Sequence, residues 1–424
     1  MFAEHITYQN KKKYMSFAIY SACFGAVIQR TLSESSVFIV YASALGAGKF
    51  LSLITTALIP LMALIFLVPL AYVMEKQGIK KVLLPVCGGG FIGLLLAVAA
   101  GSLPDSNFKA AIFSFGILIY AASIGIHSAG WFPLQRHIVP QGERGNYFGR
   151  MRFSWQIAVG LFLLVSSLII WNDASVIRLQ LVILIGALLS LGRIYFISKI
   201  PEHPLEKRVS PLKEKFADAI KDKSLMKYSL YGFLLNLLIC STIPLGYGFI
   251  KYELGIPQHV NILLSVFVNI SAVAGYWIGS RVIDKNHSGK MFIRVQIIFA
   301  VLNLLFLLCY KHSFFSLIFS SILICLAGAL FAFSSVVASA KMFGMVKENN
   351  INISLAVCFG LYNGGKGISR LISSFMIGVL PDSYSLFGIS WNSFHILFLA
   401  TGIVLIITTG VMITRKSLTS NFWV

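Results

Sequence analysis

Acidic residues are scarce in this chain: 15 Asp and Glu stand against 35 Lys and Arg among 424 residues, for a formal charge of +20. Charged residues of both signs together make up only 12% of the sequence, about half of what a soluble domain carries, so a water-facing enzyme is excluded. Cysteine is sparse as well. Cys23, Cys87, Cys240, Cys309, Cys325 and Cys358 each stand in an apolar run without paired metal-ligand spacing, which excludes a zinc or disulfide framework. No apolar run carries a nucleophile–base pair or a cluster of metal ligands, so neither enzymatic chemistry nor a resident cofactor is expected. Lys11, Lys12 and Lys13 precede the first apolar run without a small-residue cleavage pattern. That run therefore reads as a retained span rather than a signal peptide.

What the chain has is apolar sequence. Hydrophobic residues make up 57% and the mean hydropathy is +0.82, the composition of a polytopic membrane protein. Twelve runs are long enough to cross a bilayer: 14–34, 50–74, 82–101, 110–134, 153–171, 177–197, 228–250, 260–283, 292–310, 314–338, 353–379 and 393–414. The longest hydrophilic segment, 198–227, divides them into six and six. The expected organisation is an N-terminal half over 1–197, a linker over 198–227 and a C-terminal half over 228–424. Within the linker, Leu212, Phe216 and Ile220 recur at helical spacing opposite Glu214, Asp218 and Asp222, which suits a short interfacial helix or a disordered tether.

The basic residues are distributed unevenly. About 27 Lys and Arg fall in loops or span ends on the side of the N-terminus, the Arg136–Arg152 and Arg193–Lys227 groups among them, against about five on the other side. Both termini are therefore expected in the cytoplasm, in a bacterial inner membrane. The same asymmetry accounts for most of the +20 as a topology signal and an attraction to anionic lipid, without a nucleic-acid partner.

The stretch from Ser354 to Pro381 holds the sharpest anomaly. It is of lipid-crossing length, contains no acid, and carries Lys366 and Arg370 four residues apart on one helical face. A cation in hydrocarbon costs at least ~2.5–3.5 kcal/mol, so both heads are expected to face protein or a wet cavity, where they would attract an anion. The alternatives are carboxylate partners elsewhere in the fold or snorkelling to an interface. Gly360-x-x-x-x-Gly365-Lys366 matches the first part of a phosphate-binding loop, but Gly367 stands where the magnesium-binding Ser/Thr belongs, and nucleotide binding is rejected.

Two loops repeat a pattern. Ala71-Tyr-Val-Met-Glu75-Lys76-Gln-Gly78-Ile-Lys80-Lys81 follows the second run and Gly279-Ser-Arg281-Val-Ile-Asp284-Lys285-Asn-His-Ser-Gly289-Lys290 follows the eighth. Each sets an acid and a base at a span's end, then glycine for a tight turn, then further base; the carboxylate can meet the positive N-terminal end of a neighbouring helix. The first loop resembles the signature between the second and third helices of the major facilitator superfamily, and the second its degenerate copy. Ala71 stands where glycine is usual and Glu75 replaces the usual aspartate. The loop Pro140-Gln-Gly-Glu-Arg144-Gly145-Asn-Tyr147-Phe148-Gly149-Arg150 also resembles the basic connection before the fifth helix in many members.

The resemblance implies an all-α membrane protein of twelve transmembrane helices in two pseudo-symmetric six-helix halves, a monomer whose halves rock about a central solute site. It also implies that the first, fourth, seventh and tenth spans line the cavity. Gln29, Arg30, His127 and Asn236 would then line it, with Asn363, Lys366 and Arg370 from a flanking span, and Glu75, Lys76, Gly78, Lys80, Lys81, Asp284, Lys285 and Gly289 as gating residues. Arg30 precedes Glu34 by four, so a local ion pair competes with solute contact. Glu34 is the one acid inside a span, which supports proton coupling poorly. The expected function is a secondary transporter of a small anionic solute by alternating access. The alternatives are a carrier of a neutral polar or amphipathic solute, such as a sugar or drug, and a non-transporting sensor with the same fold.

Overall fold

The computed structural model describes residues 8–136, 138–140, 143–171, 175–202, 211–283, 288–309, 313–345, 350–381, 383–386 and 389–414. Apolar sequence of bilayer length leaves the backbone one local way to pair its own polar groups, so the chain is a succession of long helices. In the first part these are α1 (Tyr8–Glu34), α2 (Val37–Ala44), α3 (Lys49–Gln77), α4 (Ile79–Ala100), α5 (Ser106–Arg136), α6 (Arg144–Ile169) and α7 (Val176–Lys199). A short α8 (Leu212–Lys221) follows. Then come α9 (Lys223–Ile239), α10 (Thr242–Tyr252), α11 (Gln258–Ile283), α12 (Ser288–Leu305), α13 (Phe314–Met345), α14 (Ile351–Val379) and α15 (Ser393–Thr414). Between the last two helices in sequence, β1 (Tyr384–Leu386) pairs antiparallel with β2 (Ile389–Trp391), a feature not anticipated from sequence.

Ten of these segments are long and apolar enough to cross a membrane, α9 and α10 counting as one. Ile177, Phe314 and Val379 are more than half exposed, as lipid-facing side chains must be, and the chain is an integral membrane protein. The two long segments outside the ten are α1 with α2, and α14. They are also the segments that carry Arg30, Glu34, Lys366 and Arg370.

Three apolar cores hold the helices together. The largest is drawn from residues 225–405 with Ile39 and Leu53 added. The other two draw on residues 26–187 with Ile262 and Val266, and on residues 18–219 with Ile353, Ala356 and Val357. Packing also runs across the linker: α14 lies closely against α3, where Gly364 and Gly367 meet Leu64 and Leu61.

The expected span 228–250 is broken into α9 and α10, and the first span, expected over 14–34, is followed by a short further helix, α2. Between α1 and α2, the Ser35 hydroxyl donates to Thr31 O at 2.6 Å and the Ser36 hydroxyl to Asn261 O at 2.9 Å, so side chains take over from the backbone ladder. Between α9 and α10 the break falls at Cys240 and Ser241, just before Pro244, which has no N–H to give the Cys240 carbonyl and sits in the first turn of the new helix. In the linker, α8 turns Ala219 inward, while Phe216 and Ile220 remain exposed at 38% and 44%. Of the apolar row read from sequence, only Leu212 packs against the bundle. Asp222 accepts from Leu225 N at 3.2 Å and caps α9.

Candidate functional site

A cavity of about 650 Å³ opens between the helices before and after the linker. It is walled by α1, α5, α6, α7, α11, α13 and α14, and it reaches toward the face where α8 lies, since Val139, Phe148 and Asn352 line it. On the opposite face the two sets are drawn together: Ser36 Oγ donates to Asn261 O, and Lys49 pairs with Glu253 at 3.5 Å.

Glu34, the last residue of α1, sits at the centre of the charge arrangement. Arg30 Nη1 donates to its Oε2 at 2.5 Å and Lys366 Nζ to its Oε1 at 2.9 Å. The first contact is the i,i+4 pair read from sequence. The second joins residues 332 apart and ties α1 to α14. Lys366 is thus not the uncompensated cation expected from its own segment, because one carboxylate answers both cations.

Arg370 departs further from expectation. It is 3% exposed, lies outside the main cavity, and donates to Ser33 O at 2.7 Å, Thr56 O at 2.8 Å and Cys240 O at 3.2 Å. Each of these carbonyls lacks its helical partner for a reason written in the sequence. Thr56 O and Cys240 O would accept from residues 60 and 244, which are prolines without an N–H. Ser33 O would accept from Val37 N, which instead donates to Ser35 Oγ at 3.3 Å. One guanidinium therefore serves three orphaned carbonyls on α1, α3 and the α9–α10 break. Its charge is held by backbone dipoles rather than offered to a solute.

The remaining expected site residues divide. Gln29 and His127 line the cavity, and His127 stacks on Trp131 with ring centres 5.3 Å apart. Asn363 lines it too, while its Nδ2 donates to Phe359 O at 2.8 Å. Asn236 does not line it: its Nδ2 donates to Gly232 O at 2.7 Å and its Oδ1 accepts from Cys240 Sγ at 3.0 Å, so the break in the span below Pro244 consumes the side chain.

Two wall residues were read from sequence only as part of the basic asymmetry. Arg152 of α6 and Arg193 of α7 both line the cavity. Arg193 Nη2 donates to Gln29 Oε1 at 2.8 Å, and Arg152 lies 5.9 Å from the Tyr276 ring. Both sit inside membrane-crossing segments, Asn146–Ile169 and Val176–Lys199, and that position was the available signal. The wall thus holds four cations, Arg30, Arg152, Arg193 and Lys366, against one carboxylate, Glu34. In a low-dielectric wall that surplus attracts an anion strongly.

At the linker face, Glu75 accepts from Lys215 of α8 at 2.8 Å and from Asn352, in the first turn of α14, at 3.1 Å. Gly78 has φ +100°, which a residue with a Cβ adopts only with strain. The carboxylate at the N-terminus of α4 is Glu202, missed in the sequence, which accepts from Ile79 N and Lys80 N. Lys80 Nζ donates to Ser198 O at 2.8 Å and Ile200 O at 2.9 Å, whereas Lys76, over the Tyr72 ring, and Lys81 stay exposed. Of the second loop, Asp284 and Lys285 lie outside the described residues and Gly289 falls in the first turn of α12.

No protein-family model matches the chain, and no curated protein does either. Solved structures do match over nearly its whole length. A Major Facilitator Superfamily transporter, FucP, in the outward conformation is similar at a TM-score of 0.64 and 14% identity, covering 93% of this chain and 96% of its own. The xylose transporter XylE from E. coli gives 0.64 and 15%, covering 96% of each chain. The human organic anion transporter MFSD10 gives 0.65 and 12%, covering 94% of this chain and 98% of its own.

Proposed function

Because the chain has the fold of the major facilitator superfamily, we propose that it is a secondary transporter that carries a small organic anion by alternating access. The observation that carries this reading is the pair of cavity cations, Arg152 and Arg193, for which no carboxylate partner exists among the described residues. A cavity of about 650 Å³ is far larger than an inorganic anion needs and lies within the range of small-molecule sites. Its rings, including Trp131, Trp155 and Phe359, suit an apolar body behind the charge.

Residues 1–197 and 228–424 are the two rocking halves in this reading, with 198–227 as the tether. Lys366–Glu34 and the Arg370 contacts with Ser33 and Thr56 hold the halves together on the face away from α8. Opening that face requires all three to part. Glu75 with Lys215 and Asn352 serves the opposite gate. In this reading the protein is a monomer of a bacterial inner membrane with both chain ends in the cytoplasm, an orientation that the distribution of basic residues supports.

A neutral solute is the second reading. It is favoured by the internal satisfaction of Arg30, Lys366 and Arg370, and XylE is a xylose transporter on the same fold. A thermal-stabilisation screen separates the two, because a ligand that binds only the folded protein raises its melting temperature by mass action. Aromatic and aliphatic carboxylates are expected to stabilise the purified protein where xylose and uridine do not. Stabilisation by the neutral solutes alone would refute the anion reading.

A further inference from the structure

The two cavity cations without a carboxylate differ in their surroundings. Arg152 is half-buried and lies beside the Tyr276 ring. Arg193 is 6% exposed. Its guanidinium passes over Gly25 of α1, where an added Cβ would collide with Nε, Cζ and Nη2. The missing side chain at 25 is therefore what lets a residue of α7 reach the cavity. Once there it makes one side-chain hydrogen bond, to the neutral Gln29 amide, and its buried Nε–H has no partner. A single neutral acceptor does not return the cost of burying a full charge.

A second unpartnered group lies on the same wall. His127 is 5% exposed and its Nε2 has no hydrogen-bond partner. Its ring is stacked on Trp131 with an interplanar angle of 28°. A guanidinium edge with a free Nε–H, held in orientation by Gln29, matches the planar two-oxygen geometry of a carboxylate. The neighbouring stack offers a flat apolar surface to whatever carries that carboxylate. By contrast, Lys366 and Arg30 already share a carboxylate of the protein.

We propose that Arg193, oriented by Gln29 and flanked by His127 Nε2, is the seat of the solute's anionic group, and that the solute is an aromatic monocarboxylate whose ring lies against the His127–Trp131 stack. This rests on reading the cavity as an anion site, and it assigns the charge recognition to α7 and α1 rather than to α14.

The test is isothermal titration of the purified full-length protein with 2-naphthoate and with its neutral analogue 2-naphthamide. Wild type is expected to bind the carboxylate in preference to the amide. Arg193→Gln should raise the naphthoate Kd by about tenfold to a hundredfold, the worth of a charge-assisted fork, and leave the naphthamide Kd unchanged. Arg193→Lys keeps the charge and loses the fork, so it should fall between. Gly25→Ala, which leaves Arg193 in the sequence and blocks its path, should reproduce the loss. Arg152→Gln should change the naphthoate Kd by less than about threefold, as befits a cation outside the seat.

If Arg193→Gln fails to fold, Arg193→Lys and Gly25→Ala decide: naphthoate affinity unchanged in both overturns the seat. A loss that appears in Arg152→Gln and not in the Arg193 variants also overturns it, while the anion reading of the cavity survives. Wild type that binds naphthamide as well as naphthoate, or neither, refutes the cavity reading and the seat with it.

Discussion

Replacing Arg370 by methionine removes the guanidinium that serves Ser33 O, Thr56 O and Cys240 O. Three buried acceptors are then left without donors, at about 1–3 kcal/mol each. Methionine fills much of the volume, and relief of the buried charge offsets part of the loss, which leaves a net destabilisation of about 3 kcal/mol. Two of the three carbonyls lie before the linker and Arg370 lies after it, so the loss falls on the contact between the two sets of helices. Cys240 supplies a native reporter: it is 3% exposed and bonded to Asn236. If about 2 kcal/mol of the loss goes to opening that region, maleimide modification of Cys240, followed by peptide mass spectrometry, should accelerate by about thirtyfold. Cys358, 0% exposed and bonded to Ser229, is the internal reference and should not change. Arg370→Lys, unable to span three carbonyls, should recover only part of the protection. Unchanged Cys240 reactivity in a variant with a lowered melting temperature would show Arg370 to be packing rather than a latch, and an unchanged melting temperature would refute the accounting of orphaned carbonyls.

Two further substitutions have expected outcomes. Glu34→Gln leaves Arg30 and Lys366 without their shared counter-charge; because the Glu34 side chain is 24% exposed, the stability loss should be about 1–2 kcal/mol by thermal melting. The same variant should bind 2-naphthoate about fivefold more tightly, since the wall's surplus of positive charge rises, and weaker binding in titration would contradict the electrostatic account. Gly365→Ala would drive a Cβ of α14 into the carbonyl of Phe233 on α9 and should cost about 1–3 kcal/mol. Gly360→Ala on the same helix meets nothing within 4 Å and should be neutral or stabilising by up to about 1 kcal/mol; equal melting temperatures for the two variants would refute the packing argument.

The helices were legible because a bilayer sets their length: each expected run lies almost wholly within an observed helix or a broken pair of helices. The end of the first run at Glu34 was read, whereas the short α2 beyond Ser36 and the break before Pro244 were not. Within the site, the partner of Arg30 was legible as an i,i+4 neighbour, whereas the partner of Lys366 was not, since residues 332 apart meet only through the tertiary fold. Arg370 was misread because charge counting considers carboxylates, and its partners are carbonyls freed by prolines on other helices. Asn236 was misread because a span position says nothing about which neighbour takes the amide. Arg152 and Arg193 were counted with the loops, and only Gly25, on a different helix, shows how the second of them reaches the cavity.

Solute counterflow tests the central claim most directly. Proteoliposomes preloaded with unlabelled 2-naphthoate are placed in a trace of the radiolabelled compound, and the transient overshoot of label inside is compared with that for 2-naphthamide in parallel vesicles. The expected result is an overshoot for the carboxylate alone, abolished by Arg193→Gln. An overshoot for the amide of equal size, or one for the carboxylate that survives neutralisation of both Arg152 and Arg193, would contradict a cavity that selects its solute by negative charge.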